Sequence, residues 1–485
     1  MDAEIEKYAF KLVKKLRIRI LDVPGAFGRL AVELGKHGAM LGDIIKVHLT
    51  SQHVIRDIMM FFDSREQLEE TLRDVEKMKG YRVLAVEDGV LNLHRGGKIA
   101  VTPTVKVDTL SDLRLVYTPG VAQVCRHIQE QPETVREFTS IGNTVCIATN
   151  GTAVLGLGDI GVRAAMPVME GKSVILHKMA GVSCFPLLVD TTDVNRFADA
   201  LEVLSETFSV VMIEDVRAPE CFEIEEKLQG RLSVPVFHDD QHGTATVILA
   251  ALIKILRTLR KEKTTVGIAI NGAGAAGIAT CRLLLEYGFR NIVVCDRDGA
   301  IHRSRKTNMN RYKRRIAKET NPGEEKGPLA EILRGKDVFI GVSSARLVTG
   351  EMVRTMNRRP VVLALANPIP EILPKEAVDA GAAFALDGRT VNNCLAFPGI
   401  IRGTLDARAR RITSAMKIRA AETIASLAGK NEGVPNFMNP AVHRKIAAAV
   451  RQAALRETGK GGKDEKGRTG PSRPGPDRER PGKRP

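Results

Sequence analysis

Apolar residues in the first ninety positions recur at two different periods. Leu16-Arg17-Ile18-Arg19-Ile20 alternates as a half-buried strand does. Asp22-Val23-Pro24-Gly25-Ala26 then reads as a turn into a helix over 27–37, stopped at Gly38. Strands are predicted over 44–49 and 53–62. A second helix is predicted over 66–78, where Leu68, Leu72, Val75 and Met78 share one face. A last strand over 81–86 completes a βαββαβ order, a ferredoxin-like arrangement.

The pattern changes after a linker over 92–98 that contains Gly96-Gly97. Residues 93–242 mix strands and helices. Residues 243–457 alternate short, wholly apolar runs with helical stretches, which predicts a doubly wound parallel sheet. Its strands are expected over 266–271, 291–296, 338–342, 361–366 and 384–387. From Gly459 the chain is Gly, Pro and charge, and a tail over 458–485 is expected to stay disordered. The fold class is therefore α/β, in three domains (1–92, 93–242 and 243–457) plus the tail.

Composition removes several classes. The acidic start Met1-Asp2-Ala3-Glu4 is no signal peptide, and no apolar run looks long enough to cross a bilayer, so a cytoplasmic location is expected. Seven scattered cysteines, none at CxxC spacing, read as free thiols. The net charge of +16 raises nucleic acid as a partner. However, part of the excess sits in the tail and in 303–318, and without Trp there is little to stack on bases. No specific nucleic-acid role is expected.

Two glycine loops carry the first chemical signal. Gly272-Ala273-Gly274-Ala275-Ala276-Gly277 follows a predicted strand and opens a helix, and Asp296 ends the next strand. That is a dinucleotide fingerprint in its βαβ context. The glycines admit the pyrophosphate, Ala275 and Ala276 begin the helix, and Asp296 accepts from the adenosine ribose. A carboxylate there favours NAD over NADP, tempered by Arg297 next to it. Gly156-Leu157-Gly158-Asp159-Ile160-Gly161 follows the run 152–155, but its next segment, 174–176, ends in His177-Lys178. It is expected to be a tight turn lining the active site.

Phe237-His238-Asp239-Asp240-Gln241-His242-Gly243 lies between the strand-like run 234–236 and a long apolar helix. Adjacent carboxylates at such a junction offer an oxygen ligand for a divalent cation and a proton acceptor beside it. Glu214-Asp215 ends another apolar strand, 210–213. Three carboxylates with water suit Mg²⁺ or Mn²⁺. His238 and His242 have the i, i+4 spacing of zinc proteases, but Asp stands where those have Glu, and zinc is disfavoured. Lys172 can serve as a base if partly neutral, and Tyr117 as a proton donor.

These motifs together resemble the malic enzyme family, in its short bacterial form, over about residues 100–455. The matching segments are Val116 to Val121, Gly156 to Gly161, Pro167 to Lys172, Glu214-Asp215, His238 to Thr244, Ala366-Asn367-Pro368 and Val391-Asn392-Asn393 through Gly399. The resemblance implies an NAD-dependent, decarboxylating oxidation of L-malate to pyruvate and CO₂. It assigns Glu214, Asp215 and Asp240 to the cation and Lys172 to the proton of the 2-hydroxyl, with Asp239 as its partner or an alternative base. Tyr117 would protonate the enol at C3. Asn367 and one of Asn392 and Asn393 would hold a malate carboxylate or the nicotinamide end. Longer relatives carry an arginine where this chain has Ala153, so carboxylate binding must be arranged differently here. Residues 1–92 resemble the ACT domain, on the element order and on Asp22-Val23-Pro24-Gly25, which implies regulation by a small ligand such as an amino acid. A homodimer or higher homo-oligomer is expected. Two rival readings are a metal-independent 2-hydroxy-acid or amino-acid dehydrogenase and a ligand sensor with a vestigial nucleotide fold.

Overall fold

The computed structural model of the chain describes residues 12–49, 52–154, 156–430, 432–457 and 459. The expected tail, Gly459 apart, lies outside these residues. The chain divides into two compact units. One comprises Met1–Ser140, Cys146–Thr192 and Glu214–Val216; the other comprises Ile141–Val145, Asp193–Ile213 and Arg217–Pro485.

The first unit begins with β1 (Leu12–Leu21), α1 (Ala26–Lys36), β2 (Met40–Leu49), β3 (His53–Phe62), α2 (Arg65–Lys77) and β4 (Arg82–Asp88). This is the βαββαβ order read from the sequence, and the strands lie β2-β3-β1-β4, with β1 and β3 antiparallel. Alternation along β1 puts Leu16, Ile18 and Ile20 in a core with Ile58, Met60 and Phe62 of β3, closed by Leu30, Leu34 and Val75 from the helices. Arg17 faces the other way. It donates to both oxygens of its cross-strand partner Asp57, at 2.7 and 2.8 Å. Ser64 caps α2 by accepting from Gln67 N.

The linker starts later than expected. Asn92 belongs to a short helix, Gly89–His94, capped by Asp88, whose carboxylate accepts from Val90 N and Leu91 N. Beyond α3 (Leu110–Val116) and β5 (Thr144–Thr149) comes α4 (Met166–Ala180), followed by β6 (Ser183–Leu188) beside β5. Residues 174–176 are interior to α4 and are not strand-like. Residues 152–154, before the first glycine loop, form no strand either. Their ordered feature is a bridge between Val154 and Gly158.

The second unit contains β7 (Val210–Ile213), α5 (Glu220–Arg231), β8 (Val236–His238) and α6 (Asp239–Leu259). There follow β9 (Gly267–Asn271), α7 (Ala275–Tyr287), β10 (Asn291–Asp296), β11 (Gly299–Ala300), α8 (Arg311–Glu319), β12 (Val338–Gly341), β13 (Val361–Ala364) and β14 (Phe384–Asp387). The chain continues through α9 (Phe397–Ala407), α10 (Ser414–Leu427) and α11 (Pro440–Glu457). The six-stranded sheet runs β11-β10-β9-β12-β13-β14, parallel except at β11. Its central strands are buried along their length, because helices cover both faces. The order reverses beside β9, the place where such sheets bind ligands.

α6 corrects one expectation. It is long and apolar enough to cross a membrane, but Val247 to Leu252 are buried on every side as the core helix of this unit. The seven cysteines are free thiols, and Cys125 is exposed.

Candidate active site

In the first unit the chemistry gathers around Lys172 and the residues that follow β7. Lys172 Nζ lies 3.3 Å from Glu214 Oε1, with side-chain exposures of 12% and 1%. Burying such a pair is costly unless both charges are tied down, so its position points to use rather than stability. Glu214 N donates to Ala148 O, and Ala153 N donates to Asp215 O. Asp215 has a φ of +54°, a left-handed turn that Asp tolerates better than most residues. Thus Glu214 and Asp215 sit on a sharply bent backbone anchored beside the first glycine loop.

That loop is the tight turn expected. Gly156, Gly158 and Gly161 all have φ between 74° and 79°. A Cβ on Gly151 would stand 2.6 Å from Gly161 O, so the backbone doubles back on itself and opens no helix there. α4 is held at its start by the linker: Lys98 Nζ donates to Pro167 O at 2.6 Å, and Lys98 N donates to Glu170 Oε2 at 3.2 Å. Tyr117, at the end of α3, is 66% exposed.

In the second unit β8 passes directly into α6. The strand is shifted from its predicted position and ends at His238, which is the N-cap, so Asp239 and Asp240 occupy the first turn. The positive end of the helix favours carboxylates there. Asp239 is fully buried, whereas the Asp240 side chain is 32% exposed, with Oδ2 3.4 Å from His238 Nε2. The two aspartates therefore differ in environment although they are adjacent. Gly243 explains how Asp239 fits. A Cβ at Gly243 would stand 1.9 Å from Asp239 Oδ1 and 3.2 Å from Asn393 Cβ. The absent side chain leaves room for the carboxylate and brings Asn393 close to it.

The asparagine pair separates likewise. Asn392 accepts from Cys394 N at 2.9 Å and donates to Gly388 O at 3.3 Å, so its amide is spent on its own loop. Asn367 is exposed just beyond β13, and its amide lies about 3 Å from where a Cβ of Gly388 would be. Sequence reasoning missed Glu371, which holds this end of the sheet. It is buried and accepts from Ser343 N and Ala366 N, joining the loops after β12 and β13.

His242 is also settled by a residue the sequence did not single out. Its Nε2 lies 2.7 Å from Glu225 Oε1, and Lys417 Nζ lies 3.2 Å from its Nδ1. An ammonium can only donate, so Nδ1 accepts and Nε2–H donates to the carboxylate. Gln241 Nε2 donates to the other oxygen of Glu225 at 2.9 Å. Burial raises the Glu225 carboxyl, but His242 outweighs it and holds the group down at about 2. Both His242 nitrogens are occupied, which leaves neither for zinc.

The nucleotide loop has the close packing the fingerprint requires. A Cβ on Gly272 (φ +121°) would meet Val342 O at 2.5 Å, and one on Gly277 would meet Gly272 O at 1.7 Å. Gly274 has open space in front of it, and Ala275 and Ala276 begin α7. A cavity of about 810 Å³ opens over Gly272, Gly274, Asp296 and Ser343, large enough for part of a dinucleotide. Asp296 is engaged inside the protein: Arg305 reaches both its oxygens at 2.7 and 2.9 Å, and Lys313 reaches Oδ2 at 2.7 Å. Burial raises its pKa, and these two cations hold it below the usual range.

Among the described residues, no group of three His, Cys, Asp or Glu side chains is arranged to hold an ion. The donor chemistry nevertheless fits a hard divalent cation. Glu214 and Asp215 are buried carboxylates at a strand end, and Asp240 is a partly open one.

The chain matches the malic enzyme N-terminal domain over residues 96–229 and the malic enzyme NAD-binding domain over 241–456. It is 42% identical over 439 residues to an NAD-dependent malic enzyme of Geobacillus stearothermophilus, covering 89% of this chain and 91% of that protein. It is 46% identical to a bifunctional malic/malolactic enzyme of Bacillus subtilis, covering 78% and 94%. The crystal structure of an NAD-dependent malic enzyme from Thermotoga maritima superposes with a TM-score of 0.73 at 39% identity, over 75% of this chain and 99% of that one.

Proposed function

The chain belongs to the malic enzyme family, and on that premise we propose how its own residues carry the reaction. The activity is the NAD-dependent oxidation and decarboxylation of L-malate, giving pyruvate, CO₂ and NADH. The observation that carries the residue assignment is Lys172 held 3.3 Å from the buried Glu214.

Lys172 takes the proton of the malate 2-hydroxyl as hydride leaves C2 for the nicotinamide. Asp239, buried in the first turn of α6, is its partner or an alternative base. Loss of CO₂ from C4 leaves an enolate, and Tyr117 gives a proton to C3 to complete pyruvate. Asn393 and Asn367 position a carboxylate or the nicotinamide end, whereas Asn392 serves its own loop. Gly272, Gly274, Ala275, Ala276 and Gly277 take the pyrophosphate at the start of α7, and Asp296 faces the ribose. Mn²⁺ or Mg²⁺ held by Glu214, Asp215 and Asp240 would supply charge that polarises the 2-oxygen.

Domain limits of 1–92, 93–242 and 243–457, with a tail over 458–485, complete the reading, as do a cytoplasmic location and a homodimer or larger assembly. Edge strand β2 supports self-association, since Ile44, Ile45, Val47 and Leu49 are exposed along it. The ferredoxin-like module takes a small effector such as an amino acid.

Removal of divalent metal with EDTA, followed by Mn²⁺, tests the reaction class. Activity lost and then restored is expected. Undiminished turnover in EDTA contradicts the metal assignment and leaves a metal-independent dehydrogenase. Binding of NAD⁺ with no turnover of malate leaves a sensor.

A further inference from the structure

The second unit contains a cavity of about 440 Å³ that shares no residue with the one over the glycine loop. Its floor includes Glu225, Gln241 and His242. Its walls come from α5, α7, α8, the segment 410–413 and the start of α10. The floor thus lies against the residues that directly follow Asp239 and Asp240.

The charges around it do not cancel. Three carboxylates line the cavity, and two are already committed: Glu225 to Gln241 and His242, and Glu226 to Arg311. The third, Glu286, is exposed. Of the cations, Arg315 is paired with Glu319, and Lys417 donates to His242 Nδ1. Arg282, Arg410 and Arg411 also line it, and among the described residues none of the three has a carboxylate within ion-pair distance. Three uncommitted guanidiniums at one open cavity form a surplus that one exposed glutamate does not balance. Guanidinium forks match planar carboxylates and phosphates.

We propose that this cavity binds a small polyanion, bearing phosphate groups or several carboxylates, as an effector distinct from malate and NAD. Arg282, Arg410 and Arg411 grip the anion, and Lys417 is the cation at the floor. Because Lys417 also holds His242 in the first turns of α6, occupancy is transmitted to the segment carrying Asp239 and Asp240. The site stands on the cavity and its charges, and its test needs no turnover.

The test is calorimetric titration of the full chain, in metal-free buffer with saturating NAD⁺, using pyrophosphate and citrate separately and sodium chloride as an ionic-strength control. Saturable binding of at least one probe, one per chain, is expected. It should weaken at least tenfold in the Arg410→Gln, Arg411→Gln double variant and in Arg282→Gln, and persist in Arg282→Lys. Malate turnover without a probe should stay within twofold of wild type in these variants, which shows that they are folded. The proposal is overturned if neither probe binds saturably, or if the Gln variants bind as wild type does. Preference for pyrophosphate identifies a phosphorylated effector; preference for citrate identifies a polycarboxylate.

Discussion

Gly243→Ala is the sharpest perturbation of the catalytic geometry. The added Cβ would stand 1.9 Å from Asp239 Oδ1 and 2.9 Å from its Cγ. The oxygen must retreat by about 1.5 Å to reach ordinary van der Waals separation. It has little room to do so, because Asp239 is fully buried and Asn393 Cβ lies 3.2 Å from the same point. Overpacking of this kind costs roughly 1–3 kcal/mol of stability. The larger effect falls on chemistry, since a misplacement of about 1 Å can cost on the order of 100-fold in rate. The variant should therefore show kcat for malate reduced by roughly 100-fold. NAD⁺ affinity should change less than about twofold, because the nucleotide loop does not touch Gly243. Steady-state NADH formation and calorimetric NAD⁺ binding measure the two quantities. A variant with kcat within threefold of wild type would refute the role given to Asp239.

Other perturbations test separate parts of the account. Lys172→Ala should abolish malate oxidation while leaving NAD⁺ binding intact; unchanged kcat contradicts its role as base. Asp296→Ser leaves Arg305 and Lys313 without their carboxylate, so kcat/KM for NADP⁺ relative to NAD⁺ should rise at least tenfold; an unchanged ratio means Asp296 does not set cofactor choice. Acid should destabilise the fold through Glu225 and His242. Glu225 is held at about 2, below its ordinary 4.5, so its stabilisation is present above 4.5 and lost as pH falls toward 2. Burial lowers His242 below its ordinary 6.5, so its contribution likewise fades as pH falls below 6.5. Urea midpoints should drop between pH 7 and pH 3, and between pH 4.5 and pH 3 they should drop less steeply in Glu225→Gln; equal slopes over that lower range would contradict the assignment.

Much of this was legible in the sequence where a local rule applied. β9, β10, β12 and β13 were readable because strands covered on both faces are mostly apolar, and β14 from its short apolar run; predicted and observed limits differ by two residues at most. The first glycine loop, 156–161, was separable from the second because no carboxylate follows at the right distance. What escaped were relations between distant residues. Nothing near Glu225 announces that it will receive His242, and nothing near Arg411 announces a cavity. The division between Asn392 and Asn393 depends on a loop turning back to Gly388. Gly243 sat in plain view within the motif, but its purpose appears only once the Asp239 carboxylate is placed beside it. Residues 152–154 fail for the opposite reason: the apolar character of the run suggests a strand, and left-handed glycines at 156, 158 and 161 instead turn the chain.

The central claim is that one active site both oxidises and decarboxylates malate. Its most direct test is product stoichiometry with L-malate, NAD⁺ and Mn²⁺. The account predicts one pyruvate, one CO₂ and one NADH per malate consumed. Accumulation of oxaloacetate without CO₂, or of lactate without net NADH, would contradict it.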